Sequence, residues 1–157
     1  MSNAIPPRPR FVSGKRSFVI VASQFNGQYV QGLVSHASDE VRRLVPGARI
    51  TVHQVPGAFE IPVVVREVAA EKKTDAIIAL GLILKGQTDH GENLSRSVTD
   101  ALQRIALEYG VPVLNGVLSV ENETQAQERC LGEQINRGTE AGRAAVEIAV
   151  VMGDLRA

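Results

Sequence analysis

Gly81, Lys85, Gly86, Gln87, Thr88 and His90 crowd into ten positions, a mixture of residue types that can do chemistry on an anion. An apolar run, Ala76 to Leu80, leads into them and an amphipathic segment leads out. A strand that ends in a polar, glycine-containing loop and then a helix makes an anion site, because the first N–H groups of a helix are unpaired and its dipole favours negative charge there. Lys85 adds a positive charge and Thr88 a hydroxyl. A histidine such as His90 is the residue type best suited to carrying a proton at neutral pH. The stretch reads as a site for a phosphorylated small molecule with His90 as acid/base. No complete phosphate-loop pattern is present, so an ordinary strand-to-helix loop with a solvated histidine accounts for it as well on this stretch alone.

Those residues need a scaffold. Arg16 to Ser23 is almost continuously apolar, as expected of a central parallel strand covered on both faces. Gln24-Phe25-Asn26-Gly27 reads as a loop, followed by a helix marked by Val30, Leu33, Val34, Ala37, Val41 and Leu44. Pro46-Gly47 stops it, and Arg49 to Gln54 reads as a second strand. Val55 to Pro62 is a turn entering a helix with Pro62 in its first turn, buried along Ile61, Val64, Val65 and Val68. The third strand is expected over Thr74 to Leu82, then a helix from Leu94 to Tyr109 ended by Gly110, then a fourth strand from Val111 to Leu118. Asn122 caps a helix through Ala126 and Leu131, broken around Gly132 and Asn136-Arg137-Gly138, before a last helix carrying Ala141, Ala144, Ala145, Ile148 and Met152. Met1 to Gly14, with Pro6, Pro7 and Pro9, reads as an extended N-terminal arm, and 15–157 as a single domain.

Strands alternating with helices predict an α/β, doubly wound, flavodoxin-like three-layer sandwich: a four-stranded parallel sheet with helices on both faces. Ligands of such sheets bind beyond the strand carboxyl ends. The loops after strands one to three should therefore converge, bringing Phe25, Phe59, Glu60, Lys85, Thr88 and His90 to one crevice. Each has a plainer reading. A loop phenylalanine can cap a core, Glu60 can serve a helix start, and Arg129 and Arg137 can be solvated rather than grip phosphate. His36 and His53 read as structural or surface residues, and Cys130 as packing.

Composition narrows the function. The 157 residues are 44% hydrophobic and 22% charged, as in a globular domain. Seventeen basic residues balance seventeen acidic ones, so no general attraction to nucleic acid or an anionic membrane is expected. Four Phe, two Tyr and no Trp argue against a base-stacking platform. A single cysteine excludes an intramolecular disulfide and fits a reducing compartment. With no long apolar run and no signal-peptide pattern, a cytoplasmic protein is expected. No metal-ligand spacing and no nucleophile–base motif stands out.

Six motifs stand in register: Ser23-Gln24-Phe25-Asn26; Val55 to Pro62; Ala79 to His90; Asn115-Gly116-Val117-Leu118-Ser119; Gln125 to Arg129; and Asn136 to Ala141. Over roughly residues 16 to 152 the set resembles the 6,7-dimethyl-8-ribityllumazine synthase family, with the Pro-Gly-Ala-Phe-Glu-Ile-Pro turn the most specific part. The resemblance implies a transferase of riboflavin biosynthesis. It would condense 5-amino-6-(D-ribitylamino)uracil with 3,4-dihydroxy-2-butanone 4-phosphate, losing phosphate and water, without metal or cofactor. It implies that Phe25 stacks on the pyrimidine beside Ala58 and Phe59, and that Glu60 holds ribityl hydroxyls. Leu82, Ile83 and Leu84 would hold the uracil edge through their backbone. Gly86, Gln87 and Thr88, with Lys85, would cradle phosphate, and Arg129 of a neighbouring subunit would complete that cradle. Asn115, at a position that faces the neighbouring site, and Arg137, near the ribityl chain, would also bind the ribitylaminouracil, and His90 would move the protons. The family further implies homopentamers, which in some members close into an icosahedral shell, and riboflavin synthase as a partner. The short stretch from Arg129 to Asn136 fits shell-formers, whereas a proline-rich arm would obstruct contacts between pentamers.

Three departures from the family pattern stand out. Gly91 and Asn93, on either side of the acidic Glu92, stand where the family usually has aromatic residues after the histidine, Asn115 replaces a frequent phenylalanine, and Arg137 replaces a lysine. They motivate an alternative in which the protein is a non-catalytic lumazine- or flavin-binding, or shell-forming, relative. A generic flavodoxin-like domain that binds FMN is the reading without the family.

Overall fold

The computed structural model describes residues 3–5, 7 and 14–157. Most of the arm expected over 1–14 lies outside the described residues.

The sheet is parallel throughout, in the order β2-β1-β3-β4. Its strands are β1 (Ser17–Ser23), β2 (Arg49–Val55), β3 (Ala76–Leu84) and β4 (Val113–Val120). The helices are α1 (Gly27–Leu44), α2 (Ile61–Glu71), α3 (His90–Tyr109), α4 (Glu123–Cys130) and α5 (Arg137–Leu155). The α/β three-layer sandwich read from the sequence is the one observed. Side-chain alternation in β1 explains the layering. Phe18, Ile20 and Ala22 pack into a core with α1, α4 and α5. Val19 and Val21 face the other way, into a core shared with α2 and α3. β1 and β3 are apolar without interruption because both faces are covered, while β2, at the edge, is mostly exposed.

Several boundaries differ from expectation, and α3 begins at His90, a turn before the expected Leu94. β3 runs to Leu84 rather than ending at Leu82. Gly81 lies inside the strand, where a Cβ would press on Ser23 Oγ at 3.1 Å and Ile61 Cδ1 at 3.3 Å. β4 begins after Pro112, which donates nothing to the ladder but whose carbonyl accepts from Ile77 N at 2.9 Å. α5 starts at Arg137, not beyond Gly138, because the Asn136 carboxamide accepts from the N–H groups of Gly138 and Thr139 and caps the helix.

α1 and α5 approach closely. A Cβ at Gly142 would lie 2.6 Å from the Ala37 carbonyl oxygen, and one at Gly138 would run into that of Leu33. Beside this seam Arg143 Nε bonds Glu40 Oε2 at 2.8 Å, both side chains buried. The far end of α5 is tied beneath the sheet: Arg16 Nη1 donates to Ala149 O at 3.2 Å and Arg156 Nη2 to Gly110 O at 2.6 Å.

Candidate functional site

At the carboxyl ends of β1 and β3 lies a cleft of about 410 Å³. Three segments form it. The loop after β1 supplies Phe25 and Asn26, and the single 3-10 turn Ala58–Glu60 after β2 supplies Ala58. The end of β3 and the start of α3 supply Leu82, Ile83, Leu84, Gly86, Thr88, His90, Gly91 and Leu94.

The cleft exists because β1 and β3 part company. Their pairing runs from Phe18↔Ala76 to Ala22↔Leu80. Past Ser23 the chain turns toward β2: Gln24 N donates to Val55 O at 2.7 Å and Phe25 N to Pro56 O at 3.1 Å. β3 continues beside β4, with Lys85 N donating to Val120 O at 2.9 Å. A wedge opens between the two central strands, with the Phe25 ring, 71% exposed, on one side and the backbone of Leu82 to Leu84 on the other.

At the far end, Lys85 to His90 form an exposed loop onto the N-terminus of α3. The Thr88 hydroxyl accepts from His90 N at 3.3 Å, and the first helical bond recorded at this end is Asn93 N to Asp89 O. N–H groups of the first turn of α3 therefore remain for an anion at the loop, next to the Thr88 hydroxyl and the His90 ring.

Of the residues expected in one crevice, Phe25, Thr88 and His90 meet there, with Ala58, Gly86 and Leu82 to Leu84. Phe59, Glu60 and Lys85 do not line it. Phe59 projects from its turn, 67% exposed, and the Glu60 carboxylate folds back over Gly57. Lys85 falls on the opposite side of β3's end, where Nζ meets Glu121 Oε1 at 3.0 Å in a separate groove shared with Arg96, Thr99 and Ser119. Gln87 is exposed on the loop outside the lining.

Three further candidates lie away from the cleft within one chain. Asn115 is exposed on edge strand β4 and donates to Thr99 Oγ1 at 3.2 Å. Arg129 lies in the last turn of α4, in the helix layer on the other face of the sheet from α3. It is only 8% exposed, its Nε has no hydrogen-bond partner, and its closest anion is Glu128 at 3.5 Å. Arg137 opens α5 and grips Glu140 at 2.7 and 2.9 Å. Beside Arg129, burial pushes the Cys130 thiol from 9.0 up to about 12, with the guanidinium pulling the other way.

The residues missed by sequence reasoning are Asn26, Gly91 and Leu94. Asn26 had one visible signal: an Asn at a loop end, before glycine, tolerates the left-handed backbone that a turn into a helix requires. Among the described residues no group of three or more His, Cys, Asp or Glu side chains could hold a metal ion, and no helix is long and apolar enough to cross a membrane.

The family model described as 6,7-dimethyl-8-ribityllumazine synthase matches residues 15–153. A protein of that name from Halorhodospira halophila (strain DSM 244 / SL1) is 39% identical over 141 residues, 89% of this chain and 90% of that one. Another, from Azoarcus sp. (strain BH72), is 40% identical over 131 residues, 83% of this chain and 81% of the relative.

Proposed function

The chain belongs to the 6,7-dimethyl-8-ribityllumazine synthase family, and on that premise we propose the following account of its reaction, site and assembly. The protein is a transferase of riboflavin biosynthesis. It condenses 5-amino-6-(D-ribitylamino)uracil with 3,4-dihydroxy-2-butanone 4-phosphate to 6,7-dimethyl-8-ribityllumazine, releasing phosphate and water. The observation that supports this most is the cleft itself. An aromatic face, a strand edge, a helix N-terminus with a hydroxyl and a histidine stand within one concavity, and these are the parts the reaction requires.

Phe25 stacks on the pyrimidine, and main-chain groups of Leu82, Ile83 and Leu84 read its edge. Ala58 flanks the ring, while Phe59 and Glu60, which stand outside the cleft of the single chain, would have to turn in from the 3-10 turn, Phe59 toward the ring and Glu60 toward the ribityl hydroxyls. Gly86, Gln87 and Thr88, with the start of α3, bind the phosphate of the second substrate, and Lys85 adds a positive charge near that loop. This anchor places the ketone carbon beside the 5-amino group, converting a bimolecular encounter into a positioned one. The amine adds to the ketone, and His90 passes a proton to the departing hydroxyl as the imine forms. The imine then allows a proton to leave the neighbouring carbon while the phosphate departs with its bonding electrons. His90 serves both transfers, as a base regenerated within the cycle. The enol left behind takes up a proton on its terminal carbon and becomes a ketone; the ribityl-bearing nitrogen adds to that carbonyl, and the second oxygen leaves as water as the ring closes.

Asn115, Arg129 and Arg137 act in the site of an adjacent subunit. Two observations support this: all three lie outside the cleft of their own chain, and the Arg129 Nε is buried without a partner. The assembly is a homopentamer, with an icosahedral shell as a higher form, built from single domains over 15–157. It works in the cytoplasm, where riboflavin synthase consumes the product. The test is to mix the two substrates and follow inorganic phosphate together with lumazine absorbance. Equal amounts of both are expected. Lumazine binding without phosphate release would instead identify a non-catalytic relative.

A further inference from the structure

We propose that Asn26 is a positioning residue that sets the angle between the Phe25 ring and the end of β3, and thereby selects the heterocyclic substrate; the proposal rests on the transferase reading above. Asn26 sits at φ 58°, ψ 41°, in the left-handed region. Among the described residues only Lys72, closing α2, is another non-glycine with positive φ. Such backbone persists where surrounding contacts hold it. Here the Asn26 carbonyl accepts from Tyr29 N at 3.0 Å and Val30 N at 3.1 Å, launching α1. Its side chain does something else: Nδ2 donates to the Leu82 carbonyl at 2.8 Å.

That bond crosses the wedge. Main-chain pairing of β1 with β3 has stopped at Ala22↔Leu80, and the backbone of Gln24 and Phe25 is committed to Val55 and Pro56. The Asn26 carboxamide thus does what a further rung of the ladder would have done, and ties the Phe25 loop to β3 across the mouth of the cleft. Backbone groups two residues apart in a strand face the same side, so engaging Leu82 O leaves Leu84 as the next group presented on that edge. The clamp fixes both the tilt of the aromatic plane and which backbone group a flat heterocycle can meet. A glycine would satisfy the backbone but could not make the bond. An aspartate tolerates the same backbone but cannot donate.

Asn26→Gly and Asn26→Asp separate these roles. Both should raise KM for 5-amino-6-(D-ribitylamino)uracil about tenfold, the worth of one hydrogen bond, with kcat and KM for 3,4-dihydroxy-2-butanone 4-phosphate within twofold. Amide exchange at Phe25, whose N–H is bonded to Pro56, should quicken in both. Equal rises in the two KM values, or wild-type KM in Asn26→Asp, would overturn the proposal. If the wild-type protein releases no phosphate, the transferase reading fails. Amide exchange then decides the clamp alone: faster exchange at Phe25 in Asn26→Asp upholds it, and unchanged exchange removes it.

Discussion

Replacing Gly142 by alanine sets two well-known effects against each other. In a helix interior alanine is favoured over glycine by roughly 0.5–1 kcal/mol, so propensity alone predicts a more stable protein. The packing says otherwise. The new Cβ would sit 2.6 Å from the Ala37 carbonyl oxygen and 3.2 Å from its Cα. Both are main-chain atoms of α1, which cannot swing aside as a side-chain tip can. α5 must move away from α1, loosening the contact one turn earlier at Gly138 and stretching the adjacent Arg143–Glu40 pair. Overpacking of this kind costs about 1–3 kcal/mol, enough to exceed the propensity gain, and a net loss of about 1–2 kcal/mol is expected. Gly153→Ala is the control. It lies in the same helix, but its Cβ would meet only the tip of Arg16, at 3.5 Å, so it should be neutral or stabilising. Urea unfolding followed by circular dichroism, at one protein concentration because assembly contributes to stability, gives both values. A Gly142→Ala protein as stable as wild type would refute the claim that the two helices meet backbone to backbone.

Three other outcomes are expected. His90→Ala should slow phosphate release by about 10²–10⁴-fold while leaving lumazine affinity, read by fluorescence titration, nearly unchanged; equal loss of both would make the histidine structural. Arg143→Met removes the guanidinium 2.8 Å from a Glu40 carboxylate that is 2% exposed, with Arg43 still 3.8 Å from it, and should cost about 1–3 kcal/mol in urea unfolding. Cys130 should resist a thiol reagent at pH 8 until the protein unfolds, since burial keeps its thiol protonated. Because its folded pKa is raised, its contribution to stability is complete below about pH 9.0 and is lost as pH climbs toward about 12, a decline that Cys130→Ala should lack.

How far the sequence could be read followed from which contacts are local. β1 and β3 were legible as buried strands because nothing polar interrupts Phe18 to Ala22 or Ala76 to Leu80. Asn122 and Gly110 marked helix ends because caps are made within a few residues, and both act as read: Asn122 Oδ1 accepts from Gln125 N, and Gly110 closes α3 at φ 65°. Why a glycine stands at position 81 was not legible, because a glycine that breaks a strand and one that lets a neighbour approach look alike until the neighbour, here Ser23 and Ile61, is known. Arg137 was read as a break because its helix is started by the preceding Asn136. The convergence of three loops was deducible from parallel alternation, but the direction of each side chain was not. Lys85 turns to Glu121 on the opposite side of β3's end, and Phe59 and Glu60 turn away at a single 3-10 turn. Asn26 was hidden most completely, since its partner is a carbonyl 56 residues away.

The two arginine tethers beneath the sheet bear on how the molecule can be held. Arg16 and Arg156 fasten the last turns of α5 near the starts of β1 and β4, whereas the cleft opens past the strands' other ends. At 1.5 Å per residue the 19-residue helix spans roughly 28 Å. Anything joined after Ala157 — a fluorophore, an affinity handle, a surface attachment — would leave from the side opposite the cleft. Immobilisation through that end should keep the mouth of the cleft facing solution, which makes it the natural choice for attaching this protein to a sensor surface.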